Sequence, residues 1–196
     1  MLARMGDIQK AVVEVTLETI PNSVEAIKSS DLLQRNDSPK EIAKLIRHSL
    51  RIRPHRISIY VEFVKALIKG IPKLANLMKI FMDTFFVVRD YGFGTPIGVS
   101  EHYFLNICLK EGMIDPKDLL SKLYYLKNLP KKLHLSAVCA FCYYNDFIAQ
   151  NDPELYSAFL LILARENQTT SFMRGHPFNM SYIQNFLADH ATSEVI

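Results

Sequence analysis

Apolar residues along this chain recur at intervals of three and four, the spacing of one helix face. No stretch alternates apolar and polar positions between hairpin turns. The clearest run lies at residues 51–70, where Ile57, Tyr60, Val61, Val64, Leu67 and Ile68, with Ile71 just beyond, mark a single stripe. Pro54 opens it and Gly70 closes it, so the pattern predicts a helix over 54–69. A second strong start is Ser38-Pro39-Lys40-Glu41, a capping serine followed by proline at the first helical position and an acid three residues after the cap. That helix carries Ile42, Leu45, Ile46 and Leu50, and it must end near Arg53 because the residue before a proline avoids the helical region.

The same reading extends along the chain. Residues 7–20 form one helical pattern, stopped by Pro21-Asn22, and a further helix starts at Ser23 and runs toward Leu33. Pro72 begins another, with Leu74, Leu77, Met78, Phe81, Met82, Phe85 and Phe86 on a broad apolar face. Residues 89–99, with Gly92, Gly94, Pro96 and Gly98, are the main irregular segment. Ser100 and Glu101 start a short helix through Phe104, Ile107 and Cys108, ended by Gly112. Asp115-Pro116 and Asp152-Pro153 are both cap-plus-proline starts. The first leads Leu119, Leu120, Leu123, Tyr124 and Leu126 inward, and the second runs to about Arg165. Between them, residues 133–149 are helical, with Leu135, Val138, Phe141, Cys142 and Phe147 inward. Residues 167–179 are polar and broken, 180–187 form a last short helix, and 190–196 form a frayed tail.

The expected fold is all-α, with about nine or ten antiparallel helices in an irregular bundle or short solenoid-like stack, as a single domain over 1–196. The two Asp-Pro caps stand near the roughly forty-residue period of a HEAT-like helix pair, but the likeness is confined to capping chemistry.

Composition narrows the classes. A chain that is 49% hydrophobic and 22% charged folds rather than stays disordered. The net charge of +3 suits an acidic partner and falls short of the footprint of a dedicated nucleic-acid binder. Three cysteines are too few for a disulfide framework, so a reducing, cytoplasmic setting is expected. The apolar segments at 74–88 and 158–164 are interrupted by charge or too short to span a membrane.

The motifs that suggest chemistry have simpler readings. Cys139-Ala-Phe-Cys142 has the spacing of a zinc or redox pair. It lies within a helix and lacks a second close pair, so both cysteines read as small core residues. Gly92-Phe-Gly-Thr-Pro-Ile-Gly98 has neither the Walker Lys-Ser/Thr nor a dinucleotide fingerprint. The histidines show no metal-ligand spacing, and no Gly-x-Ser-x-Gly elbow is present. Glu101 and Glu111 read as helix-surface charges. No catalytic, cofactor-binding or metal-ligating residue is assigned, and no cofactor is expected.

One basic cluster remains, at residues 47–56. It straddles a helix C-terminus, where the dipole favours cations. Arg47, Arg51, Arg53 and Arg56, with Phe93 in the glycine-rich loop, are the candidate partner-binding residues. The expected function is a non-enzymatic protein-interaction or scaffold domain with an acidic protein as one fitting partner. The alternative is a weak binder of nucleic acid or anionic headgroups through the same cluster, which predicts a steep salt dependence. Base stacking calls for aromatics interleaved with the cations, and Tyr60 points with the apolar stripe instead.

Arg53-Pro54-His-Arg-Ile57-Ser-Ile-Tyr60-Val61 resembles the Arg-Pro-to-Tyr helix in the helical N-terminal region of the ankyrin-repeat families of parasitic protists. Leu109-Lys-Glu-Gly112-Met-Ile-Asp115, Phe141-Cys-Tyr-Tyr-Asn-Asp-Phe-Ile and Asn151-Asp152-Pro153-Glu154-Leu155-Tyr156 are similar to other parts of that region. The resemblance implies a binding role and carries over no catalytic residue. This chain departs from the pattern in having no repeats of the Thr-Pro-Leu-His kind; Gly94-Thr95-Pro96-Ile97 is only a fragment of that signature.

Overall fold

The computed structural model describes residues 5–86, 99–128 and 134–168. Among them are nine α-helices, three short 3-10 turns and no strand. The helices are α1 (Met5–Val13), α2 (Ile20–Lys28), α3 (Ser38–Ile52), α4 (Ile57–Gly70), α5 (Leu77–Phe85), α6 (Val99–Lys110), α7 (Pro116–Lys127), α8 (His134–Asn151) and α9 (Pro153–Gln168). The 3-10 turns are Asp31–Gln34, Pro54–Arg56 and Pro72–Leu74. The chain divides into two compact units, one reaching to Leu119 and the other starting at Leu120.

In the first unit the helices pack in alternation. α1 lies against α2 and α3, α2 against α4, α3 against α5, and α4 against α6. Contacts between each helix and the next but one put α1, α3 and α5 in one layer and α2, α4 and α6 in another, as in a short helical solenoid. The driving force is visible in α4, where Ile57, Tyr60, Val61, Phe63, Val64 and Leu67 are all buried. Each large apolar side chain removed from water contributes roughly 1.5–3 kcal/mol. The apolar face expected on α5 is wholly core, since Leu77, Met78, Phe81, Met82 and Phe85 are all buried.

The helix expected over 7–20 does not run through. α1 ends at Val13, and α2 begins at Ile20 with Pro21 inside its first turn. A tight turn intervenes, in which the Thr16 amide donates to Thr19 Oγ1 at 2.8 Å. Carbonyls near the break are taken up by other helices. Tyr60 Oη donates to Val13 O at 3.2 Å, Arg56 Nη1 to Val15 O at 3.4 Å, and Ser23 Oγ to Ala11 O at 3.1 Å. Tertiary donors thus replace the helical ones, and the β-branched Val12, Val13, Val15 and Thr16 give up helix at small cost.

The start of α3 also differs from the capping motif. Asp37 is the cap position and Ser38 is the first helical residue. Ser38 Oγ is buried with no hydrogen-bond partner among the described residues. Glu41 does not reach back to the cap; it accepts from Lys44 Nζ at 2.6 Å.

Other local signals hold. α6 ends in a Schellman turn: Met113 N donates to Cys108 O at 2.9 Å and Gly112 N to Leu109 O at 3.0 Å. Gly112 has φ +69°, a conformation that glycine adopts without penalty. Asp115 Oδ1 caps α7 by accepting from Lys117 N at 2.9 Å.

In the second unit α8 and α9 pack as a hairpin joined through Asp152. Phe141 stacks on Phe159 with ring centroids 5.5 Å apart and lies 5.3 Å from Tyr156. Asp152 Oδ1 caps α9 by accepting from Leu155 N at 2.9 Å, as its Asp-Pro sequence predicts. Tyr124, expected to point inward, is instead exposed and donates from Oη to Asp152 Oδ2 at 2.6 Å. That bond and the Leu155 amide hold the Asp152 carboxyl below its usual range.

Candidate functional site

The basic cluster and its surroundings form the most elaborate polar arrangement of the first unit. Its centre is a residue that the sequence pattern assigns to the surface. Glu101, in the first turn of α6, is completely buried. Its Oε1 accepts from Arg51 Nε at 2.6 Å and from Arg47 Nε at 3.0 Å, both reaching from α3. The expectation of a helix-surface charge is therefore corrected for Glu101. It holds for Glu111, which is half exposed and accepts from Lys65 Nζ at 3.0 Å.

Two features make the buried carboxylate tolerable. Two guanidiniums supply charge-assisted hydrogen bonds. The α6 N-terminus favours an anion in its first turn. The aromatic rings of Phe81, Phe85 and Phe104 cluster under the Arg47 side of the pair, with Phe81 and Phe104 meeting edge to face at 5.5 Å. Arg47 joins all the parts. Its guanidinium lies 5.3 Å from the Phe85 ring centroid, and its Nη1 donates to Thr84 O at 3.0 Å. One side chain of α3 thereby engages the C-terminal end of α5 and the N-terminal turn of α6.

His102, the next residue, is also fully buried, with Phe86 6.1 Å from it between ring centroids. Burial pushes its pKa down to about 3, so it is neutral at physiological pH. Burial likewise pushes the Cys108 thiol up to about 12 and the Cys142 thiol up to about 11, leaving both protonated and poorly nucleophilic. The side chains of Leu135, Val138 and Cys139 lie outside those described. Among the described residues, no group of three His, Cys, Asp or Glu side chains is placed to hold a metal ion.

The candidate residues thus fall in different places. Arg47 and Arg51 converge on Glu101, with side chains only 17% and 32% exposed. Arg56 is half-buried and turned to the Val15 carbonyl. Arg53 is half-buried at the C-cap of α3. Phe93 and most of the loop at 89–99 lie outside the described residues, as do the features expected beyond residue 168. Sequence reasoning missed the buried Glu101 and the exposed basic face of α3, where Lys40, Lys44 and His48 lie outward. A signal for that face was present in the i, i+4 spacing of Lys40, Lys44 and His48. Nothing local distinguishes Glu101 from a surface acid.

Among the described residues no helix is long and apolar enough to cross a membrane. No family model matches the chain, and neither does any curated protein or solved structure.

Proposed function

We propose that this chain is a non-enzymatic protein-interaction or scaffold domain. The observation that carries the reading is the alternating two-layer packing of α1 to α6. Such stacks present successive helix faces as one extended surface, and repeat proteins commonly use that surface for binding. The resemblance to the helical region of ankyrin-repeat proteins points the same way. The titratable groups described above also fit, because His102 and the two thiols are held in states that suit packing rather than proton transfer or nucleophilic attack.

The reading is tested by capture from cell lysate on the immobilised full chain, with and without nuclease. A stoichiometric protein that survives nuclease is the expected result. Recovery abolished by nuclease would transfer the assignment to nucleic-acid binding, and recovery no better than bare support would overturn the interaction reading.

A further inference from the structure

We infer that the outward face of α3 is a docking strip for an acidic helical segment of a partner polypeptide. The inference rests on the interaction-module reading and gives it a surface and a partner chemistry.

The geometry follows from α3 itself. At 3.6 residues per turn, Lys40, Lys44, His48 and Arg51 fall within one narrow arc, opposite the buried arc of Ile42, Ile46, Ser49 and Leu50. Lys40, Lys44 and His48 are exposed, and Arg51 adds a partly exposed guanidinium whose position is set by its bond to Glu101. The strip runs roughly 17 Å along the helix at 1.5 Å per residue, with Lys40, Lys44 and Arg51 as its cations and the His48 imidazole between them. At its end Ile52 is 50% exposed, an apolar contact beside the charges. The carboxylates near it are Glu41, which shares Lys44, Asp37, which also feels the Lys44 charge, and Glu101 behind Arg51.

Charge complementarity favours one occupant. Cations spaced by one turn match carboxylates at i, i+4 on an apposed helix, as the flanking charges of paired helices do. Ile52 offers that helix an apolar anchor, which an interface needs as well as charge. A single-stranded nucleic acid would want aromatic faces among the cations, and the exposed side of α3 presents no Phe, Tyr or Trp; a duplex would want a more basic footprint than a net charge of +3 supplies. A membrane surface would want the apolar face of α3, and that face is packed in the stack.

Glu101 has a second part in this surface. By fixing Arg51 it pre-orders one cation of the strip, which lowers the entropic cost of docking.

The test uses the full chain and four probes in low salt. The probes are a synthetic helical peptide with Glu at every fourth position and one Leu near its end, the same peptide with Gln for Glu, a single-stranded DNA oligonucleotide, and phosphatidylserine vesicles. The variant Lys40→Glu/Lys44→Glu changes only exposed side chains, and circular dichroism checks that it folds. Lys28→Glu, on exposed α2 surface, is the control reversal.

The expected result is binding of the Glu peptide alone, weakened about tenfold or more by Lys40→Glu/Lys44→Glu and unchanged by Lys28→Glu. Equal binding of the Glu and Gln peptides, equal loss in both variants, or no binding of any probe would overturn the inference. So would strip-dependent binding of DNA or vesicles tighter than that of the peptide. A lysate partner that survives Lys40→Glu/Lys44→Glu would overturn the strip while leaving the interaction reading standing.

Discussion

Two acidic residues tie the α6 region to earlier helices by ion pairs, and they sit in opposite environments. Arg47 and Arg51 reach Glu101 from α3, and the carboxylate is fully buried. Lys65 reaches Glu111 from α4, and both side chains are a third to a half exposed. The bond lengths overlap, at 2.6 to 3.0 Å against 3.0 Å. Contact distance therefore does not separate the pairs, whereas solvent does. Water already solvates Lys65 and Glu111 in the unfolded chain and largely in the folded one, so their contact changes little. Glu101 gives up its hydration entirely, and its stability depends on the two guanidiniums being in place.

The largest effect should come from breaking the buried side of this comparison. Glu101→Ala removes the buried carboxylate that two guanidiniums share and loosens α6 from α3, so chemical denaturation should show a loss of about 3–5 kcal/mol. Next comes pH. His102 has a folded pKa of about 3 against 6.5 in the unfolded chain. Between those values the unfolded chain binds the proton and the folded one does not. Stability should therefore rise with pH through that window and fall on acidification, by up to about 1.4 kcal/mol per pH unit. Denaturation at pH 7 and pH 4.5 should show a smaller difference for His102→Gln than for the natural chain.

Smaller effects sharpen the exposed side. Gly112→Ala should cost about 1–2 kcal/mol at the turn that follows Glu111, purely from the left-handed backbone, because a Cβ there meets nothing within 4 Å. Lys65→Met should barely move the denaturation midpoint, and what shift it makes should vanish in high salt. Ser38→Ala should be neutral or slightly stabilising in the same assay, since the hydroxyl it removes is buried without a partner among the described residues. A serine acting as the cap would lose about 1 kcal/mol instead.

That last contrast shows what the sequence could and could not disclose. The apolar stripes of α4 and α5, the Gly112 stop and the two Asp-Pro caps are local chemistry, and each is found where its spacing puts it. The misread places depend on partners distant in sequence. Val13 and Val15 offer their carbonyls to Tyr60 and Arg56, more than forty positions away, and a helix pattern over 7–20 contains no trace of those donors. Glu101 looks like a first-turn surface acid until α3 brings two arginines to it. The basic cluster was legible as a cluster. Its division into inward arginines and an outward strip was not, because that depends on which arc of α3 the stack covers.

The central claim is that Arg47 and Arg51 serve first as internal partners of a buried carboxylate. The most direct measurement is a pair of double-mutant cycles, Arg51→Met with Glu101→Gln and Lys65→Met with Glu111→Gln, each followed by denaturation in low and high salt. Arg51 and Glu101 should show a large coupling that salt leaves unchanged, and Lys65 and Glu111 a small one that salt removes. Equal couplings, both erased by salt, would mean that Glu101 is solvated and that the arginines are surface charges after all.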